Sequence, residues 1–143
     1  MSTATPPTAE AYGKSLKGLG FSLIVRDLAD SVQFATGVLG ASIYFQTDKF
    51  AALKLLDADL MLHHDDTYRS NPLHGFLNEN AGRGIGVELR CYGVDPDQVE
   101  ARARNLGYTV LAGSLDKPHG LRECIILDSD GFAWVPSTHL NNL

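Results

Sequence analysis

The chain has little that would tie it to a membrane, a nucleic acid or a nucleotide. It contains no apolar run near the roughly 18 residues that cross a bilayer as a helix. No cluster of Lys and Arg and no basic–aromatic stripe occurs, and the net charge is -5; nucleic acid is therefore not an expected partner. Neither a Gly-x-x-x-x-Gly-Lys-Ser/Thr phosphate loop nor a Gly-x-Gly-x-x-Gly fingerprint is present, which argues against nucleotide and dinucleotide binding. There are only 2 cysteines, Cys91 and Cys124, each inside a strand-like run. They read as buried free thiols rather than a disulfide or a metal pair. Met1 to Ala11 is polar and rich in Thr, Ala and Pro, without the apolar stretch of a signal peptide. Residues 1–17 read as a disordered lead-in, and the whole as a soluble cytoplasmic protein with no membrane partner.

What is present is a repeated order of elements. At 143 residues with a 44% hydrophobic fraction, the chain can bury a core as one domain or as two small modules sharing a sheet. Leu56-Asp57-Ala58-Asp59 returns as Leu127-Asp128-Ser129-Asp130, each copy between two apolar runs. Upstream, Asp30-x-Val32 leads to Leu39-Gly40, as Asp97-x-Val99 leads to Leu106-Gly107. Two echoes in one order predict an α+β fold of two βαβββ modules. The first module spans 18–65, a linker 66–84, the second module 85–138 and a short tail 139–143.

In the first module Phe21 to Val25 reads as a strand. A helix capped by Asp30 or Ser31 and closed by Gly40 follows, then strands at Ser42–Thr47, Lys49–Leu56 and Leu60–His64, the last two separated by an Asp57-Ala58-Asp59 turn. In the second, Gly86–Cys91, a helix opened by Asp95-Pro96-Asp97, and strands at Tyr108–Ala112, Arg122–Leu127 and Phe132–Ser137 repeat the order. The irregular linker, with a helical turn near Leu73 to Leu77, is long for a compact domain. It is either a plain tether or a segment that covers a pocket or a partner subunit.

Alternation along a strand sends successive side chains to opposite faces. With Phe21, Leu23, Val25, Val87, Leu89, Cys91, Phe132, Trp134, Leu60 and Leu62 facing the helices, the opposite faces carry Gly20, Ser22, Ile24, Met61, His63, Gly86, Glu88, Arg90, Ala133 and Val135. This mixture of small, apolar and a few polar residues has the character of a small-molecule pocket; the other reading is the solvated side of a sheet. Ser22, His63, Glu88 and Arg90 are the candidate ligand-binding residues. Glu88 and Arg90, two apart on one face, either pair with each other or divide their work. In the second case the planar fork of Arg90 holds a carboxylate or phosphate and Glu88 holds an amine or hydroxyl. No nucleophile or orienting partner accompanies His63, so no catalytic residue is assigned.

These residues resemble the vicinal-oxygen-chelate superfamily, which includes glyoxalase I, bleomycin-resistance proteins and extradiol dioxygenases. The resemblance is carried by Val25-Arg26-Asp27-Leu28-Ala29-Asp30-Ser31, Phe34 and Val38-Leu39-Gly40. In the second half it is carried by Val94-Asp95-Pro96-Asp97, Leu106-Gly107 and Gly120-Leu121-Arg122, leading to Leu127-Asp128-Ser129-Asp130-Gly131-Phe132. It implies modules that curl around a cavity, and a homodimer in which modules are paired or exchanged between chains. It also implies metal-ligand positions at Gly20, His63, Gly86 and Val135, with His64 in place of His63 if the alignment shifts by one. Glycine and valine bring no donor, whereas a catalytic zinc needs three protein ligands and manganese, iron or nickel want imidazoles and carboxylates. The expectation is a metal-free binder of a small organic molecule, of the bleomycin-resistance type, that sequesters a drug or metabolite. The alternative is a metal-dependent lyase, isomerase or dioxygenase whose Zn, Mn, Fe or Ni would rest on His63 and Glu88, with His64 or His119. A third reading is a structural or regulatory dimer with a vestigial cavity.

Overall fold

The computed structural model describes residues 7–77, 79 and 81–140. Each half folds as strand, helix and three strands. The first half contains β1 (Gly20–Val25), α2 (Leu28–Gly37), β2 (Ser42–Gln46), β3 (Phe50–Leu55) and β4 (Ala58–His64). The second contains β5 (Glu88–Tyr92), α3 (Pro96–Asn105), β6 (Thr109–Asp116), β7 (Leu121–Leu127) and β8 (Ala133–His139). A further helix, α1 (Ala9–Ser15), precedes both. The sheets have matching orders, β1-β4-β3-β2 and β5-β8-β7-β6. In each, the first strand lies parallel to the last, pairing Phe21 with Leu60 and Leu89 with Trp134. The duplication legible in the sequence is thus a duplication of topology.

Local chemistry sets the element ends. The side chain of Asp27 accepts the Asp30 amide at 3.1 Å, so α2 begins one turn earlier than a cap at Asp30 or Ser31 would allow. Asp95 caps α3 by accepting from Asp97 N at 2.9 Å, with Pro96 in the first turn as expected. The two echoed motifs both join the third and fourth strands of their modules, but differently. Leu55 pairs with Ala58, so the first is a tight connection at Leu56-Asp57. The expected Asp57-Ala58-Asp59 turn is corrected, since Ala58 and Asp59 already belong to β4. In the second, Asp128 Oδ1 gathers the amides of Asp130, Gly131 and Phe132 at 3.1, 3.0 and 3.0 Å. Its Oδ2 accepts from Trp134 Nε1 at 3.1 Å. One carboxylate therefore organises a longer loop.

The helix-facing sides of both sheets contribute to a single core, from Leu23, Val25, Leu60 and Leu62 in one module to Leu89, Cys91, Ile126 and Trp134 in the other. Both expected free thiols are buried there, and burial pushes each up to about 11. The second module packs against α2 and its C-terminal cap. The Phe34 ring lies edge-on to Tyr108 at 4.9 Å and tilted to Trp134 at 6.2 Å, and the Arg102 guanidinium donates to Val38 O at 3.1 and 3.0 Å. The faces opposite the helices look outward from this core, and among the described residues no cavity is lined by both.

The linker is less irregular than its composition implies. It contains 3-10 turns at Asp65–Tyr68 and Pro72–Phe76, and then folds back across β1. Among the described residues no helix is long and apolar enough to cross a membrane.

Candidate functional site

The outward face of the first sheet is fixed by strand register. Gly20, Ser22 and Ile24 on β1 lie beside Asp59, Met61 and His63 on β4. Beyond them come Lys54, Ala52 and Phe50 on β3, and Phe45 on β2 opposite Ala52. One side of this face is aromatic. The His63 ring sits 4.9 Å from Phe50 and 5.2 Å from Tyr68. Burial there lowers the His63 pKa below its ordinary value, which favours a neutral imidazole. Lys54 forms an ion pair with Asp59 and lies 5.9 Å over the Tyr44 ring.

This face is partly covered by α1, where the sequence reading expects a disordered lead-in over 1–17. Thr8 caps the helix by accepting from Ala11 N at 3.0 Å. Glu10 and Lys14, one turn apart, pair at 2.6 Å. Residues 1–6 lie outside the described residues. Tyr12 points from α1 onto the sheet and is only 7% exposed. Ala52, opposite Phe45, is 0% exposed, although it stands on the face away from the helices.

Among the described residues, two grooves open on this side. One, of about 310 Å³, runs between Leu16, Lys17 and Gly18 after α1 and Gly20, Ser22, Asp59 and Met61 on the sheet. The other, of about 290 Å³, is roofed by linker residues including Phe76 and Arg83 and floored by Ser22 and Ile24. Ser22 lines both.

The outward face of the second sheet is charged. Register places Glu88 beside Ala133, Arg90 beside Val135 and Tyr92 beside Ser137, with Glu123 next across. The expected Glu88–Arg90 pair forms, with Arg90 Nη1 donating to Glu88 Oε1 at 3.0 Å. Arg90 does more than that. Its Nε donates to Tyr92 Oη at 3.1 Å and its Nη2 to Glu123. Glu123 also meets His119 Nε2 at 3.3 Å. Burial pushes the Glu123 carboxyl up, but the hydrogen bonds from His119 and Arg90 outweigh it and hold the group below the usual glutamate value. Under this network Ser137 is 0% exposed, and its Oγ has no hydrogen-bond partner among the described residues.

The four sequence candidates therefore fall into two pairs. Ser22 and His63 stand on the first outward face, Glu88 and Arg90 on the second. Among the described residues no hydrogen bond or ion pair joins one pair to the other. Gly86 lies before β5 rather than on it, at φ 92°, and neighbouring Val87 is exposed instead of facing the helix. Sequence reasoning missed Tyr12 and Glu123. The Thr8 cap and the Glu10–Lys14 spacing were the available signals for α1, whereas Glu123 gave none beyond a charge in an apolar strand.

The donor set does not fit a metal centre. Gly20 and Gly86 lack side chains, Val135 is apolar and fully buried, and Glu88 is held by Arg90. His64 spends Nδ1 on the Asp66 amide at 3.0 Å. Asp66 is shared between Lys49 and Arg69 at 3.0 and 2.9 Å, which hold it down to about 2. No group of three or more His, Cys, Asp and Glu side chains among the described residues is placed to hold a metal ion.

Comparison with solved structures places this architecture. A glyoxalase/bleomycin resistance protein/dioxygenase from Nocardioides superposes with a TM-score of 0.67 at 22% identity, covering 96% of each chain. A family enzyme of the same description from Burkholderia phytofirmans gives 0.72 at 16% identity, over 85% of this chain and 98% of that one. The fosfomycin resistance protein FosX from Mesorhizobium loti gives 0.63 at 18% identity, over 88% and 95%. The chain has the vicinal-oxygen-chelate fold. No family model and no curated protein sequence matches it. A vicinal-oxygen-chelate fold with these identities fixes the paired modules and leaves the chemistry to the site residues.

Proposed function

We propose that this protein binds a small, planar, cationic organic molecule without a metal, in a cavity completed by a second copy of the chain, and acts by sequestering a drug or metabolite. The observation that carries the reading is the division of the candidate residues between two outward faces. One is aromatic, with His63, Phe50, Phe45 and Tyr44. The other carries two carboxylates, Glu88 and Glu123, against the single guanidinium of Arg90. An aromatic wall stacks on a planar ligand and favours a cation over its ring faces, and an excess of carboxylate favours the same charge. A homodimer that sets one protomer's first module against its partner's second module would bring both faces to one ligand. Two features support such an assembly. β1 and β5 are edge strands of their sheets. Leu19, Ile85 and Val87, just before those strands, are 76%, 82% and 54% exposed, an arrangement that favours burial against another surface. Catalysis through a metal finds no support in the donor set described above.

The test joins oligomeric state to binding. Light scattering after gel filtration is expected to give a dimer. The planar cation proflavine is expected to raise the melting temperature, since a ligand at 100 times its dissociation constant adds about 2.7 kcal/mol. Glu88→Gln is expected to weaken that shift. A monomer that shows no shift with proflavine would overturn the reading.

A further inference from the structure

The first outward face already holds an aromatic ring, supplied by the chain itself. Tyr12 stacks on Tyr44 with centroids 5.8 Å apart and planes 26° apart. It meets Phe45 edge-on at 5.7 Å and 85°, and Phe50 at 6.4 Å and 72°. One stacked wall with two edge-on walls is a box for a single planar ring. The occupant is held by a short support. α1 is 7 residues long, below the length at which an isolated helix is stable in water, so it depends on docking. The docking is imperfect, because Tyr12 Oη is buried without a hydrogen-bond partner among the described residues. An unpaired buried hydroxyl carries a desolvation penalty that an apolar ring would not. The groove of about 310 Å³ between Leu16, Lys17 and Gly18 and Gly20, Ser22, Asp59 and Met61 lies two strand steps from the box, since Met61 pairs with Ala52 and Ala52 with Phe45; its other wall is the segment that follows α1.

We propose that Tyr44, Phe45 and Phe50 form an aromatic-ring subsite of the ligand cavity, and that Tyr12 is its displaceable resident, so that α1 gates the groove by competing with the incoming ring. This rests on the binding reading given above and adds the ligand's ring subsite and its control. The gate is intramolecular, so ligand affinity is reduced by the fraction of time the box is occupied. Removing the ring raises affinity. Removing only the unpaired hydroxyl strengthens docking and lowers it.

The experiment is a fluorescence titration of proflavine into the full-length protein, Tyr12→Phe and Tyr12→Ala, with a thermal melt of each to confirm folding. Tyr12→Ala is expected to bind about tenfold more tightly and Tyr12→Phe about threefold more weakly than the unmodified chain. Amide exchange across residues 9–15 is expected to speed up when proflavine is added to the unmodified chain. Tyr44→Ala in the Tyr12→Ala background is expected to lose the gain. Equal affinity in all three proteins, with exchange in α1 unchanged, overturns the gate while leaving the binding reading intact. No binding by any of them, including Tyr12→Ala, overturns both. Weaker binding by a folded Tyr12→Ala also overturns the gate, because Tyr12 would then be part of the wall and not its competitor.

Discussion

Arg83 grips Asp65 with both terminal nitrogens, Nη1 to Oδ1 at 2.5 Å and Nη2 to Oδ2 at 2.8 Å. The same Nη1 donates to Ile24 O at 2.9 Å, and the Arg83 amide donates to Asp130 O at 2.8 Å. One buried residue of the linker is thus tied to β1, to the 3-10 turn that follows β4 and to the loop of the second module. The guanidinium holds Asp65 below the usual carboxylate range, against the opposing effect of burial. Replacing Arg83 by Met keeps much of the volume but leaves Asp65 and Ile24 O without their donor. The expected loss is about 2–3 kcal/mol, measured by urea unfolding. A loss below about 0.5 kcal/mol would show that the linker is not fastened here.

A gain is expected at Leu56. It has φ 54°, the only positive value at a non-glycine position among the described residues, and its side chain is 56% exposed. A branched residue is strained in that region, and glycine is not. Leu56→Gly should therefore stabilise the protein by about 0.5–1 kcal/mol, despite the greater freedom of glycine in the unfolded chain. Thermal and urea melts check the sign, and destabilisation would mean that Leu56 packs against something the chain needs.

His63 gives a pH signature. Its pKa is lowered by burial from 6.5, so the folded state binds fewer protons than the unfolded state once the pH falls below that value. Stability then drops as pH falls through about 6.5 and continues to drop until the lower, folded value is reached. His63→Phe removes this contribution while keeping an aromatic ring between Phe50 and Tyr68. Urea melts at pH 7.5 and pH 5 are expected to show a smaller loss of stability in the variant. An equal loss would assign the dependence to other groups.

Much of the fold was legible because it is written in periodicity. The echoed motifs located both strand-3 to strand-4 connections, and alternation assigned Leu23, Leu62, Leu89 and Trp134 correctly to the core face. Register then placed Ser22, His63, Glu88 and Arg90 on the opposite faces, as read. What alternation does not carry is the packing of one module on the other. Phe34 reaching Tyr108 and Trp134 turns the two faces outward, and no local pattern announces that contact. The covering of the first face was hidden for a related reason. α1 is too short to show an apolar stripe, and its docking depends on a tertiary contact of the single residue Tyr12. Glu123 was hidden because the partners that explain a carboxylate within an apolar strand are His119 in the preceding loop and Arg90, 33 residues away in sequence.

The most direct test of the account is a proflavine titration carried out on protein stripped with chelator, and again after loading with Zn²⁺, Mn²⁺, Fe²⁺ and Ni²⁺ in turn, with bound metal counted by elemental mass spectrometry. The account predicts the same affinity in every case and metal far below one ion per chain. Near-unit occupancy that falls in His63→Ala and Glu88→Ala, with binding seen only in the loaded protein, would contradict it.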